Sequence, residues 1–422
     1  MTPDLITPVN SEFFKLEKLI INKSIEIEQW FRACWREIDA PFYGSVDLRN
    51  SGFKISPVDT NLFPAGFNNL NPQFEPLAIQ AISVAIENIC PEASKLIIIP
   101  ENHTRNIFYL KNIFFLSKIL SNAGLEVELA SLDNKEISII DINEENPLVI
   151  YPLEKKDNKI YINKNDKEFR PCAILLNNDL SSGKPEILEN IEQHVMPNIL
   201  AGWFNRRKSN HFEIYNNIAN KFSEFLSIDP WLINPFFESI SGIDINNSQD
   251  QNKIKIIVDN LIEKIKVKYN EYKITHEPYV VIKADSGTYG MGIITVKNGS
   301  EIEELNRKKR NKLSTIKDGQ LVKNLIIQEG IHTEELINNA VSEPVVYTID
   351  KFVIGGFYRV HTSKEKDENL NSPGMHFLPI PFETSCLMPD QGRNPNDIPN
   401  RFYVYGVIAR LAILAAAKEC DS

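Results

Sequence analysis

The stretch Tyr279-Val-Val-Ile-Lys-Ala-Asp-Ser-Gly-Thr-Tyr-Gly-Met-Gly-Ile293 decides the fold. An apolar, β-branched run delivers one lysine, Lys283, and gives way to a loop carrying Ser286, Gly287, Gly290 and Gly292. Glycines permit the left-handed backbone angles that aim several N–H groups at one anion, while a lysine on a rigid strand supplies a point charge. Such a loop can close over phosphates. The order differs from a Walker loop, whose lysine follows the glycines and opens a helix. Taken alone, the segment reads equally well as a glycine-rich hairpin with an incidental lysine.

The chain that follows tips the balance toward a nucleotide. Asn324-Leu-Ile-Ile-Gln-Glu-Gly-Ile331 is an apolar strand ending in polar residues, so that Gln328, Glu329 and Ile331 form a hinge able to meet an adenine edge. Glu343 to His361 reads as two strands around a Gly355-Gly356 turn, with Asp350 near the turn and Arg359 on the second strand. Asp367-Glu-Asn-Leu-Asn371 then clusters oxygen donors. Hard cations take such oxygens, and Mg2+ bridges β- and γ-phosphates. The set therefore calls for ATP and Mg2+, with Glu368, Asn369, Asn371 and, more remotely, Asp350 as metal ligands.

Upstream, helical spacing from Ser11 to Trp35 predicts an amphipathic helix, and Phe42 to Asn71 reads as a loop. Helices at Pro72 to Ile89 and Asn106 to Asn122 alternate with strands at Lys95 to Pro100, Glu126 to Leu132 and Ala173 to Asn177. That alternation predicts a doubly wound α/β sheet with ligands at its carboxyl ends. Short strands or a hairpin are expected between Lys135 and Phe169. Helices follow at His211 to Leu226 and Lys253 to Tyr269, and the linker between them sets a boundary near residue 230. The expected organisation is an amino-terminal α/β substrate-binding domain, 1–230, then an α+β domain, 231–422, with a largely antiparallel sheet. The apolar stretch Phe402 to Ala417 reads as a buried helix, too short and interrupted by Arg410 to cross a bilayer.

In the amino-terminal half, Arg49, Lys54, Asp59, Asn61 and Asn68 fall in a Pro/Gly-punctuated region, and amino-acid substrates need both carboxylate-binding cations and amine-binding carboxylates. Any one of them taken singly is equally a solvated loop residue. Arg105 lies just past the carboxyl end of the Lys95 strand, and Asn205-Arg-Arg-Lys-Ser209 concentrates positive charge around Arg207. The histidines read as structural and none is assigned as a base.

The 422 residues carry 46 Lys+Arg against 56 Asp+Glu, a net charge of −10, which argues against nucleic acid as a partner. No membrane segment or secretory signal is visible, and the five cysteines are scattered without metal-site spacing, so a reducing cytoplasm is expected. Small molecules are the expected partners; a homo-oligomer is compatible with the sequence and is not specified by it.

With these pieces in order, the sequence resembles the ATP-grasp enzymes and, more narrowly, the bacterial glutamate–cysteine ligase family, whose carboxy-terminal half is ATP-grasp-like. The resemblance rests on Ser45 to Leu70, Pro100 to Asn106, Gly202 to Phe212, Ile282 to Ile293 and Gly355 to Phe377. It implies the first step of glutathione synthesis, in which ATP, L-glutamate and L-cysteine give γ-glutamylcysteine, ADP and phosphate. A carboxylate does not acylate an amine in neutral water, so the implied route runs through γ-glutamyl phosphate, with Lys283 and Arg359 stabilising the transferred charge. The alternatives are a related carboxylate–amine ligase with another acceptor, or a nucleotide-binding regulatory protein without turnover.

Overall fold

The structure is a computed structural model, and it describes residues 5–6, 11–102, 106–133, 135–142, 147–287, 292–314, 322–380 and 401–421. The run Lys95–Pro100 folds as expected into a buried strand, its Leu96 to Ile99 almost wholly removed from water. It lies in a six-stranded sheet with the spatial order His194–Met196, Ala173–Asn177, Lys95–Pro100, Glu126–Ser131, Pro147–Pro152, Ser138–Asp141, parallel except for the last strand. Strand periodicity sorts its side chains onto two faces. Leu96, Ile98, Leu129 and Leu175 pack on helices Glu75–Ile89 and Ile107–Asn122, while Ile97, Ile99, Ile174 and Leu176 face the other way.

That other face corrects the doubly wound expectation. Among the described residues it is covered by a small antiparallel sheet of Glu154–Lys156, Lys159–Lys164 and Lys167–Phe169 and by Ala416 of the carboxy-terminal helix. The polar stretch forms these strands because Asp157-Asn158 and Asn165-Asp166 accept positive φ at two tight turns.

A four-stranded antiparallel sheet carries the lysine strand, in the order Phe237–Ile240, Leu325–Glu329, Val280–Ala284, Ile294–Val296. A larger antiparallel sheet is built around Ala340–Ile349 and Phe352–His361. Here the expected turn at Gly355-Gly356 is corrected. The chain reverses at Asp350-Lys351, where Asp350 takes a φ of 51°, and the glycines lie inside the second strand. The register shifts beside Gly355, and a Cβ on Gly356 would meet the Val345 carbonyl at 2.5 Å.

The expected loop between Phe42 and Asn71 is largely a hairpin, Tyr43–Asn50 and Ile55–Asn61, joined to this same sheet by antiparallel pairing with Ala340–Ile349. Ser45-Val-Asp-Leu-Arg49 alternates strictly, Val46 and Leu48 entering the core while Ser45, Asp47 and Arg49 occupy the other face, so the stretch carries the period of a half-buried strand in spite of the Pro and Gly residues around it. Strands from both sides of residue 230 are therefore hydrogen-bonded neighbours.

Helix Arg401–Asp421 is buried along nearly its whole length, as its composition foretells; its Arg410 is held by Glu28 at 2.7 and 2.8 Å. The expected first helix is two, Ser11–Asn22 and Ser24–Cys34. No described helix is long and apolar enough to cross a membrane.

Candidate active site

The lysine sheet and the larger sheet face each other across a cleft of about 370 Å³ that reaches the carboxyl ends of the parallel strands. Lys283, Ser286, Gly287, Gln328, Glu329, Ile331, Arg49, Asp59, Asn61, Asn68, Arg359, Glu368, Asn369 and Asn371 all border it, although they come from segments up to 322 positions apart.

On the larger sheet, pairing register places charge in rows. Glu343 sits directly across from Arg359 in the neighbouring strand, and Arg49 approaches it from the hairpin side. Arg49 Nε donates to Glu343 Oε2 at 2.8 Å, and an Arg359 terminal nitrogen donates to Glu343 Oε1 at 2.5 Å and to Asp47 Oδ2 at 2.9 Å. Arg49 also reaches the carbonyls of Ile331 and Glu368 at 3.1 and 2.6 Å, tying the hinge and the oxygen-donor cluster to this row. Burial alone would push the Glu343 carboxyl up, but the two guanidiniums outweigh it and hold the group below the usual carboxylate range. Burial does prevail at Asp47, with Arg359 working against it, and raises that carboxyl.

On the lysine sheet, Lys283 donates to the Val58 carbonyl at 2.8 Å. Burial lowers this ammonium to about 8, offset in part by Asp59 and reinforced by Lys208. Asp59 experiences the reverse: Lys208, bonded to it at 2.7 Å, and Lys283 overcome its burial and hold it far below the usual range. Gln328 Nε2 and Arg359 Nε are buried donors with no partner among the described residues. Buried donors are ordinarily satisfied, so a ligand oxygen or nitrogen in the cleft would remove a cost.

Several expected residues stand elsewhere. Lys54 does not border the cleft: it is sealed behind the hinge, donating to Glu329 Oε2 at 3.0 Å and to the Asn234 carbonyl at 3.2 Å, with its ammonium 4.2 Å from the centre of the Trp231 ring. The Glu329 side chain is thus spent on the hinge's own support, accepting also from Trp231 Nε1 and the Phe236 amide. Asp350 sits at its hairpin turn and Gly292 beyond the loop, neither on the cleft wall. Arg207 turns to the Asn205 and Arg206 carbonyls, and its neighbour Lys208 takes the cleft position instead. Gly290 and Arg105 lie outside the described residues.

Asp47, Glu343 and Asp285 are not assigned from sequence, and in the basic run Asn205 to Ser209 the reading selects Arg207 where the structure puts Lys208 on the cleft. Glu343 is nevertheless flagged as an acid set in an otherwise apolar strand run, Asp47 by the alternation of Ser45 to Arg49 and Lys208 by the basic run Asn205 to Ser209, whereas Asp285 gives no local signal. Among the described residues no three His, Cys, Asp or Glu side chains stand ready as a metal cage. The oxygen donors at the cleft rim, Asp367, Glu368, Asn369 and Asn371, nevertheless suit Mg2+, which binds through one or two carboxylates plus substrate phosphates rather than an all-protein cage.

What the fold and the cleft define is a site of small-molecule size lined by both cations and carboxylates, built where two antiparallel sheets meet the ends of a largely parallel one. The glutamate–cysteine ligase model, GshA, matches residues 17–420, and this chain belongs to that family. It is similar, at 51% identity and a TM-score of 0.91 over 100% of this chain and 99% of the other, to a protein of Methylobacillus flagellatus KT provisionally described as a gamma-glutamylcysteine synthetase. A D-alanyl-alanine synthetase A from Vibrio cholerae O1 shares 9% identity over 60% of this chain and 67% of its own, TM-score 0.32. A glutathione synthetase-like effector from Globodera pallida shares 9% over 89% and 84%, TM-score 0.38. Both of these likenesses are too low for a common fold to be read from them. No curated protein matches the chain.

Proposed function

We propose that the chain is a glutamate–cysteine ligase that joins the γ-carboxylate of L-glutamate to the amine of L-cysteine at the cost of ATP, the first step of glutathione synthesis, by way of γ-glutamyl phosphate. The observation that carries this reading is the family match across residues 17–420. The convergence of Lys283 and Arg359 on one cleft supplies the chemistry.

The adenine edge is read by the Gln328 amide and the hinge backbone, on the sheet face shared with Val281. Lys283 and the loop residues Ser286 and Gly287 meet the phosphates. Arg359, pressed into place by Asp47 and Glu343, offers its unpartnered Nε to the oxygens whose charge grows during transfer. Because those donors are already fixed by buried partners, little reorganisation is needed in the transition state. Glu368, Asn369 and Asn371 would hold Mg2+, Glu368 exchanging its present bonds to Lys364 and the Glu365 amide. When bound, Mg2+ neutralises phosphate oxygens. Asp350 has no part in this assignment. Asn61, Asn68 and Asp59, with Lys208 in the position expected for Arg207, face the amino-acid end.

This divides the labour between 1–230, chiefly for substrates, and 231–422, the ATP-grasp-like nucleotide half, with the Tyr43–Asn61 hairpin as their shared strand pair. The setting proposed is the reducing cytoplasm, and no disulfide is found among the described residues. The test is mass-spectrometric detection of γ-glutamylcysteine with each substrate omitted in turn, and with glycine or other amines in place of cysteine. ADP release that ignores both amino acids, or a preference for another acceptor, would refute the assignment.

A further inference from the structure

Asp285 is used by none of the roles above, yet it is only 5% exposed and stands two residues beyond Lys283 at the point where the lysine strand ends. Its carboxylate does not face the cleft. One oxygen accepts the Ser209 amide at 2.7 Å and the other the Ser209 hydroxyl at 2.8 Å, while its own carbonyl accepts the Lys208 amide at 2.7 Å. Its amide donates to the Asn324 carbonyl at 3.0 Å, just ahead of the hinge strand.

Ser209 and Lys208 open the 19-residue helix Lys208–Leu226, whose flanking residue Arg207 provides no side-chain cap. A helix start leaves amide donors unsatisfied and carries partial positive charge, so a carboxylate there is doubly favoured. Here that carboxylate comes from a different sheet, 76 positions along the chain. The helix start in turn carries Lys208, which crosses to Asp59 at 2.7 Å over the face of the Trp203 ring. Lys283 reaches the adjacent Val58 carbonyl from the other side. Thus one residue joins the strand bearing Lys283, the segment leading to the hinge, and the helix bearing Lys208.

We propose that Asp285 is a positioning residue for the ligase reaction, locking Lys283 and Lys208 into fixed places on either side of Asp59 by capping the Lys208–Leu226 helix from the lysine strand. It touches no substrate and acts through the two lysines. Displacing a reacting group by about 1 Å can cost roughly 100-fold in rate, so removing the lock registers in the kinetics and not only in stability.

The inference rests on the nucleotide role proposed for Lys283, and wild-type product formation is measured first, so that failure of that reading shows in the wild type and failure of this one only in variants. In the full chain, Asp285→Ala is expected to lower kcat/KM for ATP about 100-fold, Asp285→Asn about 10-fold and Ser209→Ala about 3-fold, since the first loses both side-chain cap bonds and the charge, the second one bond and the charge, and the third one bond alone. The control is Asn247→Ala, which removes the cap of helix Ser248–Glu271, where Asn247 Oδ1 accepts the Gln249 and Asp250 amides far from any assigned role. It should lower the thermal midpoint with kcat/KM unchanged. Asp285 variants that lose stability as Asn247→Ala does, with kinetics intact, overturn the proposal and leave a helix cap. Should Asp285→Ala fail to fold, the Asp285→Asn and Ser209→Ala pair decides the matter: unaltered kcat/KM in both overturns it.

Discussion

Replacing Glu343 by glutamine isolates the row of charge behind the cleft. The carboxylate is buried between Arg49, at 2.8 Å, and Arg359, at 2.5 Å, with Asp47 as the second acid. Two guanidiniums thus share two carboxylates, and the substitution leaves them with one. Breaking a buried pair by removing one partner costs about 3–5 kcal/mol, because the remaining charge stays out of water. The amide oxygen can still accept one guanidinium bond, which places Glu343→Gln near 3 kcal/mol and Glu343→Ala near 5 kcal/mol. Urea unfolding followed by circular dichroism reads the difference as a lower midpoint at unchanged slope.

The pH dependence has a definite sign. The folded-state carboxyl is held below its ordinary value of 4.5, so its stabilisation is fully present above that value and is lost as pH falls through the folded-state pKa. The gap between wild type and variant should be level from neutrality down to about pH 5 and close in more acid solution. A gap of under about 1 kcal/mol at pH 7, the scale of an exposed pair, would refute the idea that this network is desolvated and holds Arg359 in place.

Other expectations follow from the same geometry. Lys283 with its ammonium lowered to about 8 must be protonated to meet phosphate, so kcat/KM for ATP should decline as pH rises through about 8; a profile flat to pH 9.5 removes the lysine from the phosphate site. Lys54→Met strips the buried Glu329 of its cation and should cost roughly 3 kcal/mol while raising KM for ATP through the disturbed hinge; an unchanged KM would separate that ion pair from nucleotide binding. Asp350→Asn should leave the Mg2+ titration of activity where it was and Glu368→Gln should shift it, measured side by side. Arg207→Ala should change each Michaelis constant by less than about 2-fold, in keeping with a half-buried residue off the cleft.

Local pattern made much of the chain legible. The buried strand at Lys95, the flanking helices, the lysine strand, the hinge and the buried carboxy-terminal helix all follow from periodicity and glycine placement over windows of 5–20 residues. The hairpin Tyr43–Asn61 does carry the alternation of a half-buried strand at Ser45 to Arg49, but that run is short and is set among Gly44, Gly52, Pro57 and Pro64, whose turn chemistry makes the region read as a loop. The turn was misplaced onto Gly355-Gly356 because glycine serves a bulge and a close backbone approach as readily as a reversal.

The sequence by itself determined which chemistry is present: a strand-borne lysine before glycines, an arginine strand and an oxygen-donor cluster, in an order that identifies the family. Only the tertiary structure decided which charges border the cleft. Lys54 and Lys208 are both lysines in polar motifs, yet one is sealed against Glu329 and Trp231 while the other opens on the cleft beside Asp59. The reason is physical: the fate of a charge depends on the partner that meets it in the fold, and those partners lie 275 and 149 positions away, where no local pattern can see them.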